Sequence, residues 1–395
     1  MLEGRPKRVA LVLGFGQDFW RDQRVQRTGR ALAAANYEVL AYTPAESKEH
    51  ERSREGIATK YIKTPLGNNR LIKKLLLSYI LYDISAAFDM VRSKVDICHC
   101  NDFDTVPCGV ILKLVSFGRA KVVYDSHEDY PLFIEWGRGK LLARVVGIAE
   151  AIFTRYFVDR VIAVTETVKA KFEKRGIKSE AIFNCQELLN YEPAEESQRA
   201  GDKRGEFQIT YQGNIFPQRG YEQLIEAADI LINNRRIEEL KFIIIGDSGR
   251  FIAYQRSLVN LIKEKGLEKN FSFTGFMDYA EMMQILRRAD VGLMPFEPTL
   301  KNMGVLPNKF FENLVAGIPT IASNVPEIAR IIGQERCGLL VDATQPQEIA
   351  DAIEHLYKHE DIKLEMGRNA LRAAQEKYNF ATQAEKLLKV YEEIS

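Results

Sequence analysis

The chain has 395 residues, which is too long for one typical hydrophobic core and predicts two domains. A hydrophobic content of 46% with 28% charged residues is typical of a globular, enzyme-like protein, and a formal net charge of +1 gives no electrostatic reason to expect a nucleic-acid partner. Five scattered cysteines and an N-terminus without a secretory pattern favour a cytoplasmic protein, and no apolar run is long enough to span a bilayer.

Short apolar strands alternate with amphipathic helices in the first half of the chain. Strands are predicted at 8–13, 38–42, 95–100, 121–124, 160–164 and 181–183, and helices at 22–35, 70–93, 105–116, 140–157 and 165–174. This alternation predicts a parallel sheet that is covered by helices on both faces.

One predicted helix is compatible with a membrane surface. Residues 70–82 combine an apolar stripe with Arg70, Lys73 and Lys74. This pattern occurs in helices that lie on anionic membranes and also in core-facing helices with a solvated basic edge. The core-facing helix is favoured, and a peripheral contact with the inner face of the membrane stays open.

A charged segment with almost no apolar residues, 189–206, is the predicted linker between domains at 1–188 and 207–379. Strands are then predicted at 207–212, 241–246, 271–274, 291–295, 319–323 and 339–341, and helices at 221–234, 251–265, 279–289, 308–316, 326–332, 346–359, 361–377 and 380–394. The predicted fold is α/β, with two Rossmann-like, doubly wound parallel-sheet domains facing each other across a cleft. Ligands of such sheets bind beyond the carboxyl ends of the strands.

The stretch 304–319 carries the strongest functional signal. Pro307 suits the first turn of a helix, so free backbone amides are expected near Asn308 and Lys309. These amides and the helix dipole favour an anion such as a diphosphate, and Lys309 adds a positive charge. Glu312 can accept hydrogen bonds from two sugar hydroxyls. The stretch therefore points to a nucleotide, although its apolar residues are equally those of a helix packed on a core.

Three strand-to-loop junctions of the second domain are further candidates. Their residues are Gly213, Asn214, Arg219, Gly246, Asp247, Phe276 and Met277. Glycines let the backbone approach a ligand closely, and Arg219 can hold a phosphate with two hydrogen bonds. At the third junction, next to Phe276 and Met277, the backbone could form hydrogen bonds with the edge of a base. Each junction alone is also compatible with a plain turn.

Polar residues at strand ends of the first domain suggest a second site. His127 follows a strand among polar residues, where an imidazole suits hydrogen-bond chemistry near neutral pH. The turn that ends at Gly16 lacks the third glycine of a dinucleotide fingerprint but could let the backbone approach a substrate. Arg24 could face the cleft or lie on the surface. Asp102 is interpreted as the cap of a helix rather than a metal ligand.

His99 stands between Cys98 and Cys100, which raises the question of a zinc site. No second pair of cysteines or histidines follows at ligand spacing, so no metal is predicted.

Taken together, these motifs resemble the retaining glycosyltransferases of family 4, which have the GT-B fold. The resemblance covers nearly the whole chain and includes a subgroup with Tyr-Asp-x-His-Glu and Pro-Asn-Lys-x-Phe-Glu motifs. The matching segments are Asp22-Gln23-Arg24-Val25, Tyr124-Asp125-Ser126-His127-Glu128, Phe183-Asn184-Cys185, the loop from Gly213 to Gly220, residues 307–319 and the C-terminal pattern that begins Lys377-Tyr378-Asn379-Phe380. The resemblance implies that the last helix, 380–395, completes the first domain.

The resemblance also implies roles for individual residues. Glu312 would bind ribose, Arg219 the diphosphate, and His127 would lie beside the transferred sugar; with Lys309 these are the expected catalytic residues. The expected donor-binding residues are Gly16, Gly213, Asn214, Arg219, Gly246, Asp247, Phe276, Met277, Gly304, Val305, Leu306, Asn308, Lys309 and Glu312. The expected acceptor-side residues are Arg24, Asp102 and Glu128.

Three positions depart from the family pattern. Asn214 replaces an arginine and Arg219 a lysine, which rearranges the phosphate clamp because a planar guanidinium is not equivalent to an ammonium. Gly304 replaces an acid that touches the donor sugar in the family, so the identity of that sugar stays open.

The expected function is transfer of a sugar from a nucleoside-diphosphate sugar to an acceptor hydroxyl, with retention and without a metal or other cofactor. The resemblance suggests a carbohydrate or lipid-linked glycan as acceptor, in polysaccharide or glycolipid biosynthesis. Two alternatives remain: a sugar-nucleotide epimerase of the same fold, which would act without an acceptor, and a non-catalytic paralogue that binds a nucleotide-sugar.

Overall fold

The computed structural model describes residues 5–14, 17–44, 52–63, 76–188, 205–299 and 306–395. The chain forms two compact units. Unit 1 consists of residues 1–184 and 380–395, and unit 2 consists of residues 185–379. Most of the predicted linker, and the part of the 70–82 segment before residue 76, lie outside the described residues.

Unit 1 contains a sheet of eight described strands in the order β3-β4-β2-β1-β5-β6-β7-β8. The strands are β1 (Arg8–Val12), β2 (Glu38–Pro44), β3 (Arg52–Arg54), β4 (Ile57–Ile62), β5 (Ile97–Asn101), β6 (Lys121–Ser126), β7 (Arg160–Ala163) and β8 (Ser179–Ala181). All neighbouring strands are parallel except β3 and β4, which form an antiparallel edge.

Helices cover both faces of this sheet. They are α1 (Gln23–Ala34), α2 (Leu76–Arg92), α3 (Val106–Val115), α4 (Tyr130–Arg138), α5 (Lys140–Tyr156), α6 (Glu166–Glu173) and, from the C-terminus, α14 (Phe380–Ile394). Successive residues of a strand point to opposite faces of the sheet. Val9 and Leu11 of β1 pack with α1 and α14, whereas Ala10 and Val12 pack in the core beneath α2, α3, α5 and α6. Burial on both faces explains why these strands are apolar runs rather than alternating patterns.

Unit 2 contains a parallel sheet of six described strands in the order β11-β10-β9-β12-β13-β14. The strands are β9 (Phe207–Gln212), β10 (Leu240–Ile245), β11 (Phe271–Gly275), β12 (Val291–Met294), β13 (Thr320–Ser323) and β14 (Gly338–Val341). The helices are α7 (Tyr221–Asp229), which a π-turn extends over Ile230–Asn234, α8 (Ile252–Glu264), α9 (Tyr279–Arg288), α10 (Asn308–Ala316), α11 (Pro326–Glu335), α12 (Pro346–Lys358) and α13 (Glu360–Glu376).

The predicted pair of Rossmann-like parallel-sheet domains is confirmed. The sequence analysis missed the β3–β4 hairpin, in which β3 is short and polar, and α4, which contains Pro131 and Gly137. Pro131 is tolerated in α4 because it lies in the first turn, where its missing amide has no intrahelical partner. Among the described residues, no helix is long and apolar enough to cross a bilayer.

Candidate active site

The start of α10 leaves backbone amides without a side-chain cap. Pro307 precedes the helix in an extended conformation and makes no side-chain cap. The amides of Asn308 and Lys309 therefore have no partner within the helix and can bind an anion. Gly317 ends α10 with φ 65°, in the left-handed region. The predicted bounds of this helix, 308–316, match the structure.

Gln212, at the end of β9, orients the acidic residue of α10. Its side-chain amide lies 3.3 Å from Oε2 of Glu312 and 2.9 Å from Oδ1 of Asn313, and donates to both. Glu312 is buried, and burial raises the pKa of its carboxyl. Gln212 was not among the predicted site residues. Its strand also contains Gln208 and Thr210, so no local pattern distinguished Gln212 as a site residue.

Two cations of unit 2 share an aromatic wall. The guanidinium carbon of Arg219 lies 4.5 Å from the ring centre of Phe296, and Nζ of Lys309 lies 5.1 Å from the same centre. Lys309 also lies 4.6 Å above the ring of Tyr211. Aromatic faces attract cations but carry no net charge, so these contacts leave the positive charge uncompensated.

The pKa of Lys309 reflects this lack of compensation. Burial and the neighbouring Arg219 lower the pKa of the ammonium to about 7, and Glu312 opposes this shift. No ion pair joins Arg219 or Lys309 to a carboxylate of the described residues. Two adjacent cations without a carboxylate partner form a site that favours an incoming anion.

Glycine backbones border this cation pair. Gly213 has φ 119°, and a Cβ atom at this position would lie 2.6 Å from Nζ of Lys309. Gly246 has φ 139°, and its Cβ would lie 2.2 Å from the carbonyl oxygen of Gly213. Only glycine therefore allows the ends of β9 and β10 to approach each other and Lys309 so closely.

The remaining predicted donor residues lie around this core or outside the description. Leu306 is buried, and Asn308 is partly buried at the start of α10. Asn214 and Asp247 are exposed, and Oδ1 of Asp247 accepts a hydrogen bond from the amide of Gly249. Phe276, 83% exposed, and the partly buried Met277 follow β11. Gly16, Gly304 and Val305 lie outside the described residues.

In unit 1, His127 lies between two aspartates. Its Nε2 is 3.4 Å from Oδ2 of Asp125, and its Nδ1 is 3.7 Å from Oδ2 of Asp102. The backbone amide of His127 also donates to Oδ1 of Asp102 at 3.1 Å. Burial alone would lower the pKa of His127, but Asp102 and Asp125 outweigh burial and raise the pKa to about 9. The imidazole is therefore a cation at neutral pH.

Asp125 is the centre of a buried network that the sequence did not identify. Arg24 donates to both of its carboxylate oxygens, at 2.7 and 3.2 Å. Nε2 of His99 lies 3.4 Å from Asp125, and Nδ1 of His99 lies 2.8 Å from the hydroxyl of Tyr391 in α14. Burial would raise the pKa of Asp125, but the charges of Arg24 and His127 hold it well below its usual value.

Two interpretations of first-domain residues require correction. Arg24 is buried, so the alternative of a surface arginine is wrong; its guanidinium contacts Asp125 and the carbonyl of Ile182. Asp102 makes no side-chain cap, because its carboxylate instead accepts from the amide of His127. Asp102 has φ 65°, a strained conformation for a residue other than glycine, which the His127 contact helps to maintain.

The last predicted acceptor-side residue, Glu128, is exposed next to His127, and its carbonyl accepts a 2.6 Å hydrogen bond from Oγ of Ser126. His99 is buried within β5, where it contacts Tyr391 and Asp125. Within the described ranges, no group of three or more His, Cys, Asp and Glu side chains could hold a metal ion.

Comparison with known proteins identifies two domains. Residues 23–184 match the family described as Glycosyltransferase Family 4, and residues 193–373 match Glycosyl transferases group 1. The D-inositol 3-phosphate glycosyltransferase of Arthrobacter sp. (strain FB24) is 30% identical over 381 residues, 89% of this chain and 85% of that protein. Alpha-D-kanosaminyltransferase of Streptomyces kanamyceticus is 26% identical, but the match spans less than half of each protein, 47% of this chain and 45% of the relative.

Solved structures share the fold. HepE of Anabaena, determined in complex with UDP, has a TM-score of 0.73 at 16% identity and covers 98% of this chain and 100% of its own. Sucrose-phosphate synthase of Thermosynechococcus elongatus has a TM-score of 0.76 at 19% identity, covering 98% and 99%. These similarities confirm the GT-B fold. The two matching domains, and the relative that is matched over 85% of its length, show that the chain belongs to the family 4, group 1 glycosyltransferases.

Proposed function

We propose that this protein transfers a sugar from a nucleoside-diphosphate sugar to an acceptor hydroxyl, with retention at the anomeric carbon. The observation that carries the proposal is the pair of Arg219 and Lys309 on the ring of Phe296, next to the uncapped start of α10. A diphosphate would supply the negative charge that this site lacks. Family membership and the UDP complex of HepE are consistent with this donor class.

Each part of the donor is assigned to residues that fit its chemistry. The diphosphate contacts Arg219, Lys309 and the amides at the start of α10. The ribose hydroxyls donate to Glu312, whose carboxylate Gln212 holds in place. The base lies against the exposed ring of Phe276, since an exposed aromatic face suits stacking.

The cations stabilise the leaving group. When the bond between the anomeric carbon and the phosphate oxygen breaks, negative charge grows on the diphosphate, and preorganised cations lower the barrier. Arg219 and Lys309 then supply the charge that a divalent cation supplies elsewhere, so we propose a metal-independent reaction. His127, cationic at neutral pH, donates a hydrogen bond to the transferred sugar or to the departing phosphate.

The acceptor is assigned to unit 1. Asp102 and Asp125 lie on either side of His127, Arg24 holds Asp125 in place, and Glu128 is exposed beside His127. We propose a carbohydrate or lipid-linked glycan as the acceptor, in polysaccharide or glycolipid biosynthesis. This assignment rests on the family resemblance.

A thermal-shift screen against UDP, GDP, ADP and their sugar conjugates tests the donor proposal. One base series should raise the melting temperature of the protein, and Lys309→Met should reduce this shift, since bound ligand stabilises the folded state. Lack of any shift across the panel would contradict the donor site. Incubation of the active donor without an acceptor then distinguishes sugar transfer from epimerisation. Formation of an isomerised nucleotide-sugar would identify the protein as an epimerase.

A further inference from the structure

Exposed large apolar side chains are concentrated in one helical layer of unit 1. Among the described residues, this layer exposes Ile80, Phe88, Val91, Leu114, Val115, Phe117, Phe133, Trp136, Leu141, Leu142, Val145, Ile148, Ile152 and Tyr156. Unit 2 exposes only Ile252, Phe276, Tyr279 and Leu340 within its described residues. Single exposed apolar residues are ordinary, but a contiguous set marks an interaction surface.

The set is most regular along α5. Leu141, Val145, Ile148, Ile152 and Tyr156 are exposed at helical spacing, and Leu141 is 81% exposed. Residues at this spacing share one face, so they form a continuous apolar stripe. The stripe runs from Leu141 to Tyr156 and therefore extends for about 22 Å. The opposite face of α5 packs on the sheet through Val146, Ala149 and Phe153.

The charged residues exposed along α5 are all basic. Lys140, Arg144 and Arg155 are exposed, whereas Glu150 is fully buried and paired with Lys171 and Arg175. By helical geometry, the three cations lie on one flank of the apolar stripe. An apolar stripe with a basic flank and an inward-facing acid complements an anionic, partly apolar surface.

The preceding helix extends the same surface with aromatic residues. Phe133 and Trp136 of α4 are exposed, and Arg138 follows them. Gly139, with φ 91°, turns the chain into α5, and a Cβ at Gly147 would lie 3.6 Å from Cγ of Pro131. The two helices therefore pack closely. Tryptophan is favoured where an apolar and a polar phase meet.

We propose that α4 and α5 dock this protein on the surface of an anionic lipid bilayer. The apolar stripe would enter the boundary between headgroups and acyl chains, while the basic flank would contact anionic headgroups. A second copy of the chain is a less suitable occupant, because pairing this face with itself would bring the two basic flanks together. The surface shares no residue with the donor cluster, so docking does not depend on the proposed transfer reaction.

Vesicle binding of the full chain tests the proposal without donor or acceptor. Phosphatidylcholine vesicles with and without phosphatidylglycerol are the probes, and binding should require the anionic lipid and weaken as salt increases. The chain has two tryptophans, so Trp20→Phe leaves Trp136 as the only reporter. Its emission should shift to the blue on binding and be quenched by brominated lipids.

Matched variants localise the contact. Leu141→Glu with Ile148→Glu should reduce vesicle partitioning by at least about a hundredfold, and Lys140→Ala with Arg144→Ala by about thirtyfold. The controls Ile252→Glu, and Arg256→Ala with Lys263→Ala, alter exposed residues of α8 in unit 2 and should bind as the wild type does.

Two results would overturn the proposal. One is equal loss of binding in the α5 and α8 variants. The other is a lack of binding to anionic vesicles by the wild-type chain; a wild-type dimer by light scattering that becomes monomeric in Leu141→Glu with Ile148→Glu would then identify this face as a contact between copies of the chain. Circular dichroism establishes that each variant is folded.

Discussion

The two units hold their functional cations in opposite electrostatic states. In unit 1, His127 lies between Asp102 and Asp125, and the pKa of its imidazole is raised to about 9. In unit 2, Lys309 lies beside Arg219 and aromatic rings, and the pKa of its ammonium is lowered to about 7. The charge of His127 is compensated within the protein, whereas Glu312 offsets the charge of Lys309 only in part.

This difference indicates two kinds of task. The charges of the His127 network are compensated within unit 1, since Arg24 donates to Asp125 and to the carbonyl of Ile182, while Nε2 of His127 has no hydrogen-bond partner among the described residues and can donate to a ligand. Such a network positions a group that is already charged. In the free protein, burial and the neighbouring Arg219 destabilise the charged form of Lys309. A bound anion would stabilise this form, so the site favours a ligand with negative charge. The following predictions test this distinction.

The largest expected effect is on stability in unit 1. Asp125→Asn should reduce the free energy of unfolding by about 3–5 kcal/mol, because the buried guanidinium of Arg24 loses its counter-ion. Denaturation followed by tryptophan fluorescence reports on this unit, since Trp20 and Trp136 both belong to it. The control Glu393→Gln removes an exposed partner of Arg160 and should cost at most about 1 kcal/mol. Equal losses of stability in the two variants would contradict the prediction that the buried Arg24 depends on Asp125 as its counter-ion.

Lys309→Met should lower turnover by about 10²–10³-fold, because one of the two groups that stabilise the departing diphosphate is lost. Folding should not suffer, since the variant removes an uncompensated cation. Initial rates with saturating donor measure the effect, and Lys263→Met, at an exposed position of α8, is the control. Unchanged turnover would show that Lys309 does not stabilise the departing diphosphate.

Glu312→Ala should weaken binding of the nucleotide-sugar by about 2 kcal/mol, as expected for loss of hydrogen bonds to a charged group. Calorimetry on folded protein measures this change. Glu281→Ala, at an exposed position in the first turn of α9, is the control. Unaltered affinity would remove Glu312 from the donor site.

His127→Ala should lower turnover by about thirtyfold, the value of one charge-assisted hydrogen bond, and should change nucleotide affinity much less. Steady-state rates and calorimetry on the same preparation compare the two quantities. Parallel losses of turnover and affinity would identify His127 as a structural residue.

The smallest effect, counted per pH unit, is the pH dependence of nucleotide affinity. The pKa of Lys309 is about 7 in the free protein, and a bound diphosphate should raise it, so binding above pH 7 takes up a proton. Affinity should therefore fall by up to about tenfold per pH unit between pH 7 and the higher pKa of the bound state. Calorimetry in buffers of different ionisation enthalpy counts the protons. Affinity that stays constant from pH 7 to 9 would contradict the site.

Local patterns predicted the fold and the donor helix. Apolar strands alternating with amphipathic helices predicted two parallel sheets, and a proline and a glycine at the ends of α10 predicted its bounds. Gly213, Arg219, Lys309 and Glu312 lie together because parallel strands bring their carboxyl ends to one edge of a sheet. The shared ring of Phe296 and the bracing amide of Gln212 carried no local signal.

The sequence by itself determined which segments become strands and helices and where charged residues meet the strand ends, because these follow from hydrophobic periodicity and from the chemistry of proline and glycine. Only the tertiary structure decided which charges are compensated. Arg24 and Asp125, about a hundred residues apart in the chain, form a buried pair, whereas Lys309 is left with aromatic neighbours. Compensation depends on distance and burial, which are set by packing between segments that are remote in the chain.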